Sequence, residues 1–494
     1  MIALNNRLAS VAFSDAGQRR VELALVLIVL LVAVVARFFS WPGFATHDTL
    51  FITQEALRGE YTSYHPPLNA FLIRVLAVPF ESYSVYTTLQ ILLCCGLLLR
   101  SAVLLSRAVT RPSWIVAAVV LWAALPSTYL YLGVIWKDVL SAYSLLFIAT
   151  LSLLFRLDRE EQAGGWGDAI LFGLSLFLLV GTRHGMSINF LLVPLAFGVR
   201  RLWAARLLKR AYLFALLGFI GLSAVASSPL MKNDDVHMMR LKISVVSHPF
   251  LGMVSNRSGY TSNDVGFDRR LADHVFGPEY AAKYRPDYQM NEVILTDLDE
   301  LKDAYRTILR RTVRLCLLNV AQCGSDRVQM MLATLQPSTD FGGMTFYDLG
   351  LMQDCPKVFG MDADKCQVLD AFEAGEKASW TARMQKTVVT GLSDTRGTLQ
   401  NLLVWNLIPV LALILLVLVF SPPMRPLWVV SMLLLLEMAL PFATSVANDF
   451  RYYYFLAPMG AVLVMLVLGR LLVGSSFWRP AAADERGSPP AAAP

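Results

Sequence analysis

Asp48, Lys137, Asp138, Arg183 and Arg451 come from four separated segments, and each stands at the edge of an apolar run. A carboxylate at a dry membrane edge can serve as a general base. Cations beside it can hold a phosphate, and arginine does so through its bidentate fork. Each residue also has a plainer reading. Asp48 suits the N-cap of a helix beginning TLFITQEAL. Asp138 suits the cap of the run that follows it, with Trp136 and Lys137 as interface anchors. Arg183 could pair with Asp48 or Asp138. Arg451 precedes Tyr452, Tyr453 and Tyr454, which read as an aromatic belt at a span boundary. His47 and His65 flank the helix that carries Asp48. These three are the candidate ligands for a divalent metal ion, although their spacing follows no recognised ligand pattern. What favours a shared site is convergence: a carboxylate facing several cations at one membrane level suits a substrate with a phosphate headgroup and a lipid tail.

The elements that must position these residues are membrane helices. The chain has 494 residues, 56% hydrophobic and 16% charged, with a mean hydropathy of +0.52; soluble domains carry about 25% charged residues. A span needs about 20 apolar residues. Candidates lie near 21–39, 84–106, 114–135, 139–156, 168–182, 186–200, 210–229, 401–420, 426–446 and 452–474. The first reads as an uncleaved anchor. The run 67–80, with Arg74 in its middle, reads as an amphipathic helix lying in the interface. The expected fold is therefore an all-α polytopic membrane protein of about ten spans. The net charge of +6 includes no long Lys/Arg run, and nothing in the sequence points to nucleic acid as a partner.

Basic residues set orientation. Arg19 and Arg20, Arg107 and Arg111, Arg156 and Arg159, the group Arg200 to Arg210, Arg425, and Arg470 with Arg479 all fall on one side of a ten-span count. That side is cytoplasmic, and so are both termini. Lys137, Arg183 and Arg451 are then basic residues on the outer side. Residues 1–229 form an N-terminal membrane module with a first outer loop at 40–83. The stretch 230–400 is an extracytoplasmic, mainly helical domain inserted between the seventh and eighth spans, with helical patterns near 266–276 and 297–335. Residues 401–474 return to the membrane, and 475–494 form a Pro/Ala-rich cytoplasmic tail of disordered composition. Cys94 and Cys95 read as packing residues. Cys316 and Cys323 sit seven apart in a helical pattern, about 10 Å of rise, too far for a disulfide. Any pairing should cross from them to Cys355 or Cys366, and would require an oxidising compartment.

The pattern of an acidic residue after the first span, then Gln54, then His65-Pro66-Pro67 before an interfacial helix resembles integral-membrane glycosyltransferases of the GT-C superfamily, in an uncharacterised bacterial branch. The Lys137-Asp138, Arg183-His184 and Arg451-Tyr452 positions resemble family positions as well. The likeness covers about 40–200 and 400–460. One departure is that Asp48 is followed by Thr49, where better-known branches carry a paired acidic motif. The resemblance implies a periplasmic site in a bacterial inner membrane, facing membrane lipids. It implies an inverting transfer of a hexosyl or pentosyl group from a polyprenyl-phosphate donor to a cell-envelope glycan, lipid or protein acceptor. Asp48 would be the base and Asp138 an orienting group. Lys137, Arg183 and Arg451 would hold the donor phosphate, and Gln54, His65 and His184 would contact substrate. Two other classes remain open: a transporter or flippase of a lipid-linked sugar, and a non-catalytic partner in an envelope polysaccharide complex.

Overall fold

In a computed structural model, residues 15–45, 47–58, 66–80, 82–157, 159, 162, 165–182, 210, 213–218, 220–221, 235–255, 260–284, 293–335, 347–348, 406–422, 425–444 and 453–479 are described. The helices are α1 (Asp15–Ser40), α2 (His47–Arg58), α3 (Pro67–Leu76), α4 (Ser84–Ala108), α5 (Ser113–Ala124), α6 (Pro126–Leu132), α7 (Lys137–Arg156) and α8 (Trp166–Thr182). They continue as α9 (Asp235–Ser255), α10 (Val265–Phe276), α11 (Tyr280–Lys283), α12 (Leu298–Leu318) and α13 (Val320–Leu335). The last are α14 (Ile408–Phe420), α15 (Pro426–Thr444) and α16 (Leu456–Val473). Two-residue strands β1 (Phe44–Ala45) and β2 (Tyr347–Asp348) pair antiparallel, Phe44 opposite Asp348.

Among the described residues, α1, α4, α7, α15 and α16 are long and apolar enough to cross a membrane, and α5 with α6 makes a sixth if counted as one span. The chain is thus helical and multi-pass. The expected spans at 186–200 and much of 210–229 lie outside the described residues. The expected span 114–135 is not one straight helix: α5 and α6 meet at 70°. Pro126 supplies the reason. It lacks an amide hydrogen and drives the preceding residue out of the helical region, and Leu125 is extended at ψ 121°. The Trp122 carbonyl accepts from Leu125 N at 3.2 Å and from Thr128 Oγ1 at 2.7 Å.

α7 is the hub. It packs on α4, α8, α15 and α16, and its apolar length is wholly buried within the protein. α1 is its opposite: Leu23, Leu27, Leu30, Leu31 and Val34 are exposed on one side, as a lipid-facing stripe should be. α1 runs 26 residues, about 39 Å at 1.5 Å per residue, so its two ends lie on opposite sides of a bilayer core. At its first end, Glu22 accepts from Arg107 at 2.8 Å and Gln18 from Arg479 at 3.3 Å. Arg479 also reaches the Val109 carbonyl at 2.8 Å, and Arg159 bonds the Arg479 carbonyl. Three of the basic groups expected to share a side, at Arg107, Arg159 and Arg479, therefore meet at one end of the bundle. The ion pair of Arg100 with buried Asp168 is bidentate, at 2.6 and 2.7 Å.

α9 to α12 enclose an apolar cluster of their own, around Phe250, Leu251, Val275, Leu301, Ile308 and Leu315. Buried Asp268 accepts from Arg311 at 2.6 Å and from Ser262 at 2.6 Å. Asp264 caps α10 through Phe267 N, and Asp297 caps α12 through Glu300 N, both at 2.8 Å. The helical pattern at 297–335 breaks at Asn319, whose φ of −131° ends α12. That break overturns the expected cysteine pairing. Cys316 bonds Cys323, with Cα atoms 5.3 Å apart, because the chain turns a corner between them instead of rising straight. Cys355 and Cys366 lie outside the described residues.

Candidate membrane-edge site

The far end of α1 builds a corner out of backbone. Phe44 N donates to Gly133 O at 2.9 Å, and Ile135 N donates to Phe44 O at 3.1 Å. Gln90 donates to the carbonyls of Leu132 and Val134 at 3.0 and 2.7 Å, and Thr87 donates to Pro42 O at 2.6 Å. Gly133 is required here: a Cβ would overlap the Ser40 side chain. The segment 133–136 is thereby fixed against the end of α1, and α7 starts directly after it.

α2 is pinned to the same segment. Thr49 Oγ1 donates to Ile135 O at 3.1 Å, and Thr53 shares a hydroxyl hydrogen bond with Tyr83. Asp48 precedes Thr49, and Lys137 follows Ile135 by two residues, so the first turns of α2 and α7 abut one corner. Asp48 and Lys137 are half-buried there, and Asp138 is buried. The capping reading needs correction. Trp136 is the N-cap of α7, Asp138 lies inside the first turn, and Asp48 lies likewise inside the first turn of α2. A negative charge in the first turn of a helix is favoured by the helix dipole. Helix N-termini also favour phosphate.

The interface-anchor and aromatic-belt readings are corrected too. Trp136, Tyr453 and Tyr454 are buried. Tyr454 stacks on Tyr131, with ring centroids 4.2 Å apart, and Tyr131 meets Trp136 edge-on at 5.4 Å. The Tyr454 hydroxyl lies 3.4 Å from that of Tyr143, which accepts from Trp122 Nε1 at 2.9 Å. Buried tyrosines need hydroxyl partners, and this chain supplies one, so the rings turn inward. The interfacial helix at 67–80 is α3 followed by one 3-10 turn. It presents Phe71, Val75 and Phe80 outward, while Arg74 turns to the Ala56 carbonyl at 3.3 Å.

Arg37 is a cation at this end that the sequence reading passed over. Its guanidinium donates to Thr88 Oγ1 at 2.6 Å and Ser84 O at 3.2 Å, and lies 3.9 Å over the Trp41 ring. The signal was available: an arginine in the last turn of the first span. His47 and Gln54 lie on α2. His65, Arg183, His184 and Arg451 fall outside the described residues. Among the described residues no group of three or more His, Cys, Asp or Glu is placed to hold a metal.

A second polar cluster had no sequence signal. His248, Asp326 and Arg327 are buried where α9, α11 and α13 meet. Gly252 leaves the room: a Cβ there would overlap the Asp326 carboxylate and crowd the Tyr284 hydroxyl. The rings of His248 and Tyr284 are 5.5 Å apart. Burial pushes the Asp326 carboxyl up to about 6 and the Arg327 guanidinium down to about 10. Tyr453 interacts electrostatically with Arg327, and its neighbour Tyr454 stacks in the membrane-edge corner.

No protein-family model matches the chain, and no curated protein matches it. Two solved structures of the oligosaccharyltransferase of Archaeoglobus fulgidus align with it. One is a complex with zinc and sulfate, at 11% identity; the other, named AglB, is a complex with an inhibitory peptide and a dolichol-phosphate, at 12%. Each covers 91% of this chain and 50% of the solved chain, at a TM-score of 0.33. The chain thus spans about half the length of those proteins, and a likeness of that size carries no argument about its fold or chemistry.

Proposed function

We propose that this chain is a membrane glycosyltransferase of the GT-C kind. It takes a sugar from a polyprenyl-phosphate carrier and passes it, with inversion, to a glycan, lipid or protein acceptor. The observation that carries this reading is the corner at 133–136, which seats the first turns of α2 and α7 together at one end of the bundle, beside an interfacial helix with an apolar outer face. Asp48 accepts the proton of the acceptor hydroxyl as its oxygen attacks the anomeric carbon. The bond from that carbon to the phosphate oxygen breaks, and the polyprenyl phosphate leaves with the electron pair. Lys137, Arg183 and Arg451 stabilise its charge, as preorganised donors at a developing anion do. Asp138 orients Lys137 or the acceptor, and Gln54, His65 and His184 contact substrate. Should a divalent metal take part, Asp48, His47 and His65 are the residues that would hold it. The Cys316–Cys323 disulfide supports placing α9 to α13, and the site with them, on the periplasmic side of a bacterial inner membrane.

The test is Asp48→Asn, which keeps the side chain's shape and removes the base. Transfer by the purified chain from a polyprenyl-phosphate sugar should fall about a hundredfold or more, with the helical content unchanged. Full transfer by a folded Asp48→Asn chain refutes the base role. One observation favours the second reading, a transporter or flippase of the same lipid: the break at Leu125 makes a discontinuous helix pair, a feature of transporter sites. Reconstituted vesicles separate the two, because a transporter moves labelled lipid-linked sugar between leaflets without forming a glycosidic bond.

A further inference from the structure

The C-terminal half of α12 has an apolar surface that is exposed among the described residues. The face bearing Leu301, Ala304, Ile308 and Leu315 packs inward in the α9–α12 cluster. Away from it, Leu309, Val313 and Leu317 are exposed at four-residue spacing, and Leu318 and Val320 continue the patch over the corner. Leu317 is 74% and Val320 68% exposed. Residues four apart form one row along a helix. A neighbouring row holds Arg306, Arg310 and Arg314, all exposed. Between Tyr305 and Ser325 the chain carries no Asp or Glu. The acidic residues Asp299, Glu300 and Asp303 are confined to the other half of the helix.

An apolar row flanked by arginines is what a helix needs to lie in a membrane interface, with leucines at the acyl boundary and cations among the headgroups. The path of the chain brings this patch near the bilayer. α13 leaves the corner and ends in the membrane bundle: Leu335 is buried in the bundle's core with Met331 packed against it, and Leu335 O accepts from Leu407 N at 2.9 Å immediately before α14. α13 has 16 residues, so the corner stands within about 24 Å of that anchor. Next to the docked residues, Val328 and Leu332 are exposed and carry the apolar surface on toward the bundle. The disulfide and the Asn319 side chain, which bonds Thr261 N and O at 2.8 and 2.9 Å, fix the angle at which α12 is presented.

We infer that the C-terminal half of α12, with the corner at Leu317 to Val320, rests on the leaflet beside the α9–α13 domain. Arg306, Arg310 and Arg314 bind anionic phospholipid headgroups, and Val313 and Leu317 enter the acyl boundary. The acidic half tilts away from the same surface. The contact ties the domain to the bilayer at a second point besides α13. It does not depend on the reaction proposed above.

The full chain is reconstituted into phosphatidylcholine vesicles with or without about one-third phosphatidylglycerol. An environment-sensitive fluorophore is attached in a Val313→Cys chain and, separately, in a Lys302→Cys chain. Quenching by a spin-labelled lipid should be several times stronger at the first site than at the second, and should rise with phosphatidylglycerol. In the triple variant R306Q/R310Q/R314Q the rise should vanish, each arginine being worth about fivefold in residence at an anionic surface. The unmodified arginines should lose the same rise at high salt, since exposed charges are screened there; this arm needs no further substitution. Equal lipid quenching at both positions, or dependence on aqueous iodide alone, overturns the inference. Protection of the label through cross-linking between two copies overturns it in favour of a self-association face.

Discussion

Asp326 makes a sharp test of the polar cluster between the two parts of the chain. Its Oδ1 accepts from Gln322 at 3.1 Å, while Oδ2 is buried with no hydrogen-bond partner among the described residues. Desolvation dominates over the Gln322 bond and the Arg327 charge, and raises the carboxyl from 3.8 to about 6. An acid whose folded pKa is raised binds its proton more readily in the native state than in the unfolded one. The unfolded state therefore binds fewer protons between about pH 4 and 6, and stability falls as pH rises through that window. With those two values, lowering the pH from 7 to 5 returns on the order of 1 kcal/mol. Asp326→Asn keeps the shape and an acceptor for Gln322 but cannot titrate. The assay is the thermal midpoint of both chains in detergent at pH 7 and pH 5. Other titrating groups act alike in the two, so only the difference of differences is read. The unsubstituted chain should gain about 1 °C more than Asp326→Asn on acidification. Parallel pH dependence in the two chains refutes the reasoning, since it would mean that Asp326 is hydrated or fully paired.

Three other outcomes are expected. Gly133→Ala should cost about 1–3 kcal/mol through overlap with Ser40 and slow transfer as the corner shifts; an unchanged midpoint and rate refute the close packing. Cys316→Ser with Cys323→Ser should cost about 2.5 kcal/mol, the loop-closure value for so short a ring, seen as a lower midpoint that reductant reproduces in the unsubstituted chain. Arg451→Ala should weaken the apparent affinity for the lipid donor about tenfold or more, the scale of a lost charged hydrogen bond; an unchanged value removes Arg451 from the phosphate site.

The sequence by itself determined what depends on composition and short range. Long apolar runs made α1, α4, α7, α15 and α16 legible, because a span must satisfy its backbone within itself. The basic groups at Arg107, Arg159 and Arg479 were legible as companions, and they do meet at one end. The Asp48 and Lys137-Asp138 turns were visible as polar punctuation of apolar segments. The tertiary structure decided the rest. The run 114–135 read as one span, and Pro126 breaks it into two helices at 70°. Seven residues of helical pattern forbade a disulfide until Asn319 turned the chain. Tyr454 looked like part of an interface belt until Tyr131 and Tyr143 supplied its ring and hydroxyl partners from other helices. The buried cluster of His248, Asp326 and Arg327 was invisible because its members come together only when α9 and α13 pack, over a glycine whose missing side chain is the room they occupy.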